Sequence, residues 1–388
     1  MGERRVYHGF FIILDGKLGK MRIVYVLTSL GMGGAERQAL AQAERMAGRG
    51  HQVAVLVLRA RLSEEWPTNL DVVHLGMRKT PGSLLKGLMK GRRFLRKFQP
   101  DLLHSHSFHA NLVARLLKIL VPAPAVLSTV HNVYEGGWAR MLVYRLTDGL
   151  SWRTTAVCAA AAHRFVELKA VPGDKCVVMA NGIETEKFIP DQARRALIRG
   201  RMGVGDEFVW LTAGRFVEAK DYPNLLRAFV RVVAARPCVQ LWVAGESTAE
   251  EAERLHTMSV IRGLGESVRW LGLRRDLPAL LDGADGFVLA SAWEGMPLVV
   301  GEAMAMEKPV VATDVGGTRE LVGDSGVMVP AKAPDALAEA MLEVMGRTPE
   351  DRHTLGLAEH QRICQSFNME TKANEWEALY RMIVECKH

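Results

Sequence analysis

Glu294 and Glu302 stand at either end of a seven-residue interval in the run Ser291-Ala292-Trp293-Glu294-Gly295-Met296-Pro297-Leu298-Val299-Val300-Gly301-Glu302. The run follows an apolar stretch, 286–289, and opens a helical pattern. Pro297 suits a first helical turn, because it has no amide hydrogen to leave unpaired. Gly295, Met296, Pro297 and Leu298 then form a helix N-terminus, which presents about +0.5 charge to an anion. Two carboxylates invite a hydrolase reading. Eight positions on one helix span ~12 Å, whereas glycosidase pairs lie ~5–9.5 Å apart. The spacing suits two hydroxyl-bearing parts of one extended ligand. Taken alone, Glu302 also fits a solvated helix residue.

A second corner reads Gly214-Arg215-Phe216-Val217-Glu218-Ala219-Lys220-Asp221, between a strand pattern and a helix that begins near Pro223. Arg215 and Lys220 at a strand's carboxyl end make a phosphate clamp. Surface charge is the plainer reading of the two cations alone; the Glu294 run in the same half favours the clamp. A third corner, Gly31-Met32-Gly33-Gly34, opens a helix after the strand 23–27. It lacks the third glycine of a dinucleotide fingerprint, and no Gly-Lys-Ser/Thr follows it, so NAD and P-loop sites are disfavoured. Exposed amides for an anion or sugar remain, as does an ordinary tight turn. His104, His106 and His109 cluster near a strand end with no carboxylate or cysteine among them. An acceptor-lining or structural role is expected there rather than a metal site.

The elements that must carry these corners alternate. Strand-like runs at 23–27, 53–58, 72–75, 102–103 and 126–130 are separated by helical patterns. The alternation restarts at 208–212, 240–244, 269–271, 286–289 and 310–312. Strands alternating with helices imply parallel sheets covered on both faces. The expected fold is α/β with two Rossmann-like domains facing a cleft, and ligand at the carboxyl ends of the strands. Residues 1–20 read as a disordered or extraneous arm, 21–190 as the first domain, 191–370 as the second, and 371–388 as a final helix. The polar segment 191–206 sets the boundary.

With these residues in order, the chain resembles the retaining glycosyltransferases of family 4, with the GT-B fold. The matching residues are Gly33-Gly34-Ala35-Glu36, His131, Asn181-Gly182, Gly214-Arg215 with Lys220, and the Glu294/Glu302 run. The resemblance implies a donor domain in the second half, holding a nucleotide-diphosphate sugar, with UDP the expected nucleotide. Arg215 and Lys220 would grip the diphosphate, Glu294 the sugar hydroxyls and Glu302 the ribose. Gly33 and Gly34 would approach phosphate and acceptor, and His131 the sugar. The final helix, with Trp376 and Tyr380, would cross back to the first domain. Asp221 stands where the family usually has glycine, and Gly245-Glu246-Ser247 replaces a more glycine-rich loop. The expected enzyme is a hexosyltransferase acting on a glycan or lipid-linked acceptor, in cell-surface polysaccharide, lipopolysaccharide or glycolipid synthesis. The alternatives are a nucleotide-sugar epimerase or hydrolase of the same architecture, and a non-catalytic sugar-nucleotide sensor. Intact His131, Arg215, Lys220, Glu294 and Glu302 weigh against a sensor.

Composition sets the surroundings. The 388 residues are 48% hydrophobic and 24% charged, which excludes wholesale disorder. Five scattered cysteines exclude a disulfide scaffold and fit a reducing compartment. No run approaches the ~18 apolar residues of a membrane span. No Asp-x-Asp pair occurs, so no metal and no resident cofactor are expected; the cations would supply the positive charge. Residues 1–188 carry 27 Lys and Arg against 14 Asp and Glu, while 189–388 carry 23 against 29. No aromatic-interleaved basic motif points to nucleic acid. Residues 72–100 hold eight cations and no acid. Lys86, Lys90, Arg93 and Lys97 share one helical face, and Leu84, Leu88, Leu95 and Phe98 the opposite one. Gly87 and Gly91 weaken that helix. A surface helix with solvated charges is the plain reading. The functional one is a cytoplasmic enzyme held peripherally on the inner face of an anionic membrane.

Overall fold

The computed structural model describes residues 19–31, 33–61, 68–122, 124–245 and 248–386. Most of the expected arm 1–20, with Met32, Glu246 and Ser247, lies outside them.

The chain forms two compact units, 1–182 with 369–388, and 183–368. The first begins β1 (Arg22–Leu27), α1 (Gly34–Gly48), β2 (Gln52–Val57), β3 (Asp71–His74), α2 (Pro81–Phe98) and β4 (Leu102–His106). It continues α3 (Phe108–Leu120), β5 (Ala125–Val130), α4 (Trp138–Thr147), β6 (Arg153–Ala156), α5 (Ala159–Glu167) and β7 (Cys176–Val178). Its strands are all parallel, in the order β3-β2-β1-β4-β5-β6-β7.

The second unit opens with α6 (Gln192–Arg201), β8 (Phe208–Ala213), α7 (Tyr222–Ala235), β9 (Val239–Ala244), α8 (Ala249–Ile261) and β10 (Val268–Gly272). There follow α9 (Leu277–Gly283), β11 (Gly286–Leu289), α10 (Leu298–Ala305), β12 (Val310–Thr313), α11 (Thr318–Val322) and β13 (Val327–Val329). Two helices, α12 (Pro334–Gly346) and α13 (Pro349–Arg362), complete it. Its parallel sheet runs β10-β9-β8-β11-β12-β13. The last helix, α14 (Met369–Glu385), returns to the first unit and packs on α1.

The polar segment 191–206, where the second domain is expected to open, carries α6, and the compact unit that contains it begins at Ile183. α6 belongs to the second unit, where Arg194 pairs with the buried Asp282 and Arg195 with Asp285.

In each sheet the strand order reverses once, between β1 and β4 and between β8 and β11. Connections leave these neighbouring strands in opposite directions, which opens a crevice at their carboxyl ends. All three glycine-bearing corners follow one of these strands: 31–34 follows β1, 214–221 follows β8, and 290–297 follows β11.

The expected faces of α2 hold at most positions: Lys86, Lys90, Arg93 and Lys97 are exposed, and Leu88 and Phe98 pack half-buried against the core. Gly87 and Gly91 are buried with Leu95, while Leu84 is exposed. A Cβ at Gly87 would lie 2.4 Å from Met77, and one at Gly91 3.1 Å from Leu117. The helix backbone sits close on its neighbours, so the glycines are its packing face and not its weakness.

Candidate active site

In the second unit, the Lys220 ammonium lies 2.5 Å from Glu294 Oε1. Ser291 Oγ donates to the same oxygen at 2.6 Å. The loops carrying them are tied by the Ala292 amide, which donates to Ala219 O at 2.8 Å. Lys220 ends a short 3-10 turn, and Asp221 follows in the left-handed region at φ 42°. That conformation is why a glycine suits this position. Asp tolerates it and also caps α7, its side chain accepting from Asn224 N. Gly316 has φ 56°, and a Cβ there would lie 2.1 Å from Glu294 O, so the Glu294 loop rests directly on glycine backbone. Gly317 N donates to Gly295 O at 2.6 Å.

The expected clamp is thus half compensated. Lys220 faces a carboxylate, while Arg215 is exposed and has no ion-pair partner among the described residues. Gly295 to Leu298 lead into α10, which starts at Leu298 with Pro297 as its cap residue, one position ahead of the first helical turn expected for it. Glu302 is buried, at 3% exposure, which removes the reading as a solvated helix residue. A cavity of about 510 Å³ flanks the same loop, lined by Phe216, Tyr222 and, from α8, Glu251 and Arg254.

In the first unit, the histidine cluster divides. His104 is fully buried; its Nδ1 pairs with Tyr380 OH at 2.6 Å and its Nε2 with Thr129 Oγ1 at 2.7 Å. It is a structural residue that fastens α14, aided by Trp376 against its ring and by Tyr25 and Gln42 on Tyr380. His109 is exposed on α3, and partial desolvation followed by the charges of Arg140, Arg59 and Lys79 lowers its pKa. His106 joins His131: Nδ1 of the first lies 2.9 Å from Nε2 of the second. Burial holds His131 near pKa 4, and burial with the neighbouring imidazoles holds His106 well below its usual value. Both rings are neutral at pH 7, so one proton bridges them.

His106 Nε2 is buried and has no partner among the described residues. A proton on that nitrogen would be an orphaned N–H, the costlier of the two unsatisfied forms. The bridging proton is therefore assigned to His106 Nδ1, with His131 Nε2 accepting and His131 Nδ1 carrying its own hydrogen. His131 is a fixed donor in this arrangement.

Glu135 anchors the His131 loop. It accepts from His131 N at 2.9 Å and from Tyr144 OH at 2.8 Å. Burial raises its pKa to about 7, against the lowering effect of those two hydrogen bonds and of Arg140. Sequence reasoning missed it, although it is the one acidic residue between Asp101 and Asp148. Gly33 caps α1, and a Cβ there would lie 2.3 Å from Glu36 Oε2; Gly34 is the first residue of that helix. With its side-chain amide turned over, Gln38 would donate to Gly182 O at 2.9 Å and accept from Gly182 N at 3.0 Å.

Residues 32–187 match the family described as Glycosyltransferase Family 4, and residues 207–347 that described as Glycosyl transferases group 1. The chain is a family 4 glycosyltransferase. Over 311 residues the enzyme is 24% identical to the UDP-Gal:alpha-D-GlcNAc-diphosphoundecaprenol alpha-1,3-galactosyltransferase of Escherichia coli, spanning 76% of this chain and 79% of that one. It is 25% identical to the alpha-D-kanosaminyltransferase of Streptomyces kanamyceticus, over 78% of this chain and 82% of the relative. Its fold matches the crystal structure of Anabaena HepE in complex with UDP and glucose, with a TM-score of 0.83 and 20% identity, covering 93% of this chain and 100% of that one. The glycosyltransferase therefore has the GT-B fold.

Proposed function

We propose that the glycosyltransferase transfers a sugar from a nucleotide-diphosphate sugar, a UDP-sugar first among them, with retention at the anomeric carbon. The observation that carries this reading is the corner at the β8/β11 reversal. There the Lys220 ammonium meets the carboxylate of Glu294 a few residues ahead of the α10 N-terminus, and Arg215 is exposed on the loop that carries Lys220. The cations and amides stabilise the charge that grows on the departing diphosphate. They do so without a metal ion. Glu294 accepts from sugar hydroxyls once Lys220 turns to phosphate, and Glu302 holds the ribose. His131 gives a hydrogen bond to the sugar.

The bond from the anomeric carbon to the diphosphate oxygen breaks as the acceptor oxygen bonds to the same face. The acceptor's proton passes to the leaving diphosphate, so no protein base is required. The acceptor is a glycan or lipid-linked sugar, in keeping with the named activity of the E. coli relative. The exposed cations Lys86, Arg93 and Lys97 of α2 face an anionic membrane, each adding ~1 kcal/mol near such a surface. Lys90 is exposed too, but its ammonium donates to His74 O at 2.5 Å. No described helix is long and apolar enough to cross a membrane, so attachment would be peripheral, on the cytoplasmic face.

A donor screen by thermal shift, followed by NMR of the product, tests this. Retained anomeric configuration is expected. Inverted product, or free sugar released at the same rate with and without acceptor, would refute it.

A further inference from the structure

α2, α3 and α4 form one helical layer over the first sheet. Gly91 of α2 lies against Leu117 of α3. On its other side α3 reaches α4, where Asn111 donates to Tyr144 OH and Arg115 to Tyr144 O. The three helices contain no Asp or Glu and ten Lys and Arg, of which only Arg115 is buried. A surface with cations and no anions is complementary to a sheet of negative charge.

The same layer exposes apolar side chains in an ordered way. On α4, Met141 and Tyr144 are buried. Trp138, Leu142 and Leu146, spaced four residues apart, are 80%, 43% and 75% exposed. That spacing puts the three on one stripe of the helix. α2 adds exposed Leu85 and Met89, and α3 adds Ile119. A largely exposed Trp with leucines behind it and arginines beside it is the composition of an interfacial helix. Tryptophan in particular prefers the level of lipid headgroups.

We propose that the Trp138–Leu142–Leu146 ridge of α4 enters the interface of an anionic bilayer, with the arginines of α4 beside it and the cations of α2 and α3 farther along the same layer. A lipid surface fits better than a protein groove because the cationic area extends over all three helices, well beyond one stripe. The other face of α4 gives the seating a purpose. Tyr144 OH and the His131 amide both donate to Glu135, and Arg140 donates to Glu135 O at 2.8 Å. These hydrogen bonds tie the helix that carries the ridge to the His131 loop. That the loop meets a lipid-linked acceptor rests on the function proposed above; the seating itself does not.

The test uses the full chain with sedimented vesicles of phosphatidylcholine, with and without phosphatidylglycerol. Changing Trp138, Leu142 and Leu146 together to Ser should lower the partition coefficient at least tenfold on anionic vesicles. All three are exposed, so the melting temperature should hold. Vesicles with brominated acyl chains should quench wild-type fluorescence, and Trp138→Phe should remove most of that quenching. Wild-type partitioning by the triple variant would overturn the inference. So would a ridge that proves to mediate self-association, seen as loss of dimer by ultracentrifugation with vesicle binding intact. If the triple variant loses vesicle binding while wild type shows no glycosyl transfer, the ridge stands and the proposed function fails.

Discussion

Lys220 and Glu294 lie 74 residues apart in the chain, yet an ammonium and a carboxylate oxygen meet at 2.5 Å. The pair sits where the β8 and β11 loops converge, and Ser291 completes it. A diphosphate at this corner would compete with Glu294 for the lysine. Glu294 would then be released toward the sugar as the donor binds.

Lys220→Ala or Arg215→Ala should lower turnover ~10²-fold or more, as loss of a charge stabiliser does. Chelator should leave the wild type unchanged. Because Lys220 and Glu294 touch, the double alanine variant should lose less than the product of the two single losses. Additive losses in a double-mutant cycle on kcat would show that the contact has no part in catalysis.

Glu302→Ala should raise the dissociation constant for donor more than it lowers kcat. The side chain is buried, so Glu302→Gln is the control that keeps its volume. Calorimetric titration with nucleoside diphosphate reads the effect directly. Equal affinity in all three proteins would remove Glu302 from the donor site.

The proton assignment at the imidazole pair separates two variants of His106. Asn places an amide donor near the position of Nδ1 and should keep most of the activity. Ala should lose ~10-fold or more in kcat with KM little changed. Nitrogen-15 NMR of labelled histidine should find His131 protonated at Nδ1. An Nε2–H signal for His131 would reverse the assignment.

Glu135 makes a signed pH prediction. Its folded pKa is raised, so between about 4.5 and 7 the folded state holds more proton than the unfolded one. Its contribution to stability therefore falls as pH rises through that window, and stays low above it. Glu135→Gln, which carries no charge, should gain in melting temperature relative to wild type between pH 5 and pH 8. A constant difference across that range would show that the carboxyl is not titrating there.

Gly316→Ala should destabilise the protein by about 2 kcal/mol, since the left-handed φ alone costs ~1–2 kcal/mol. The added Cβ also meets the Glu294 carbonyl. Thermal melts should show the loss, with a drop in kcat as the Glu294 loop shifts. An unchanged melt would mean that the loop yields freely.

The chemistry-bearing corners were legible because each is local. Glycine, cation and carboxylate occur within a few residues of a strand end, and the alternation of apolar runs locates those ends. The Glu294 and Glu302 spacing, the Arg215 and Lys220 pair and the α/β class all come from such short-range order. What the tertiary structure decided were relations across strands. A parallel sheet sets strand ends side by side whatever their separation in the chain, so His106, at the end of β4 opposite Thr129, comes within reach of His131 just past β5. Burial decided the rest. It turned Gly87 and Gly91 from helix weakeners into a packing face, drew Glu302 inside, and made His104 a brace for α14. No periodicity encodes these outcomes, because each depends on how closely another element approaches.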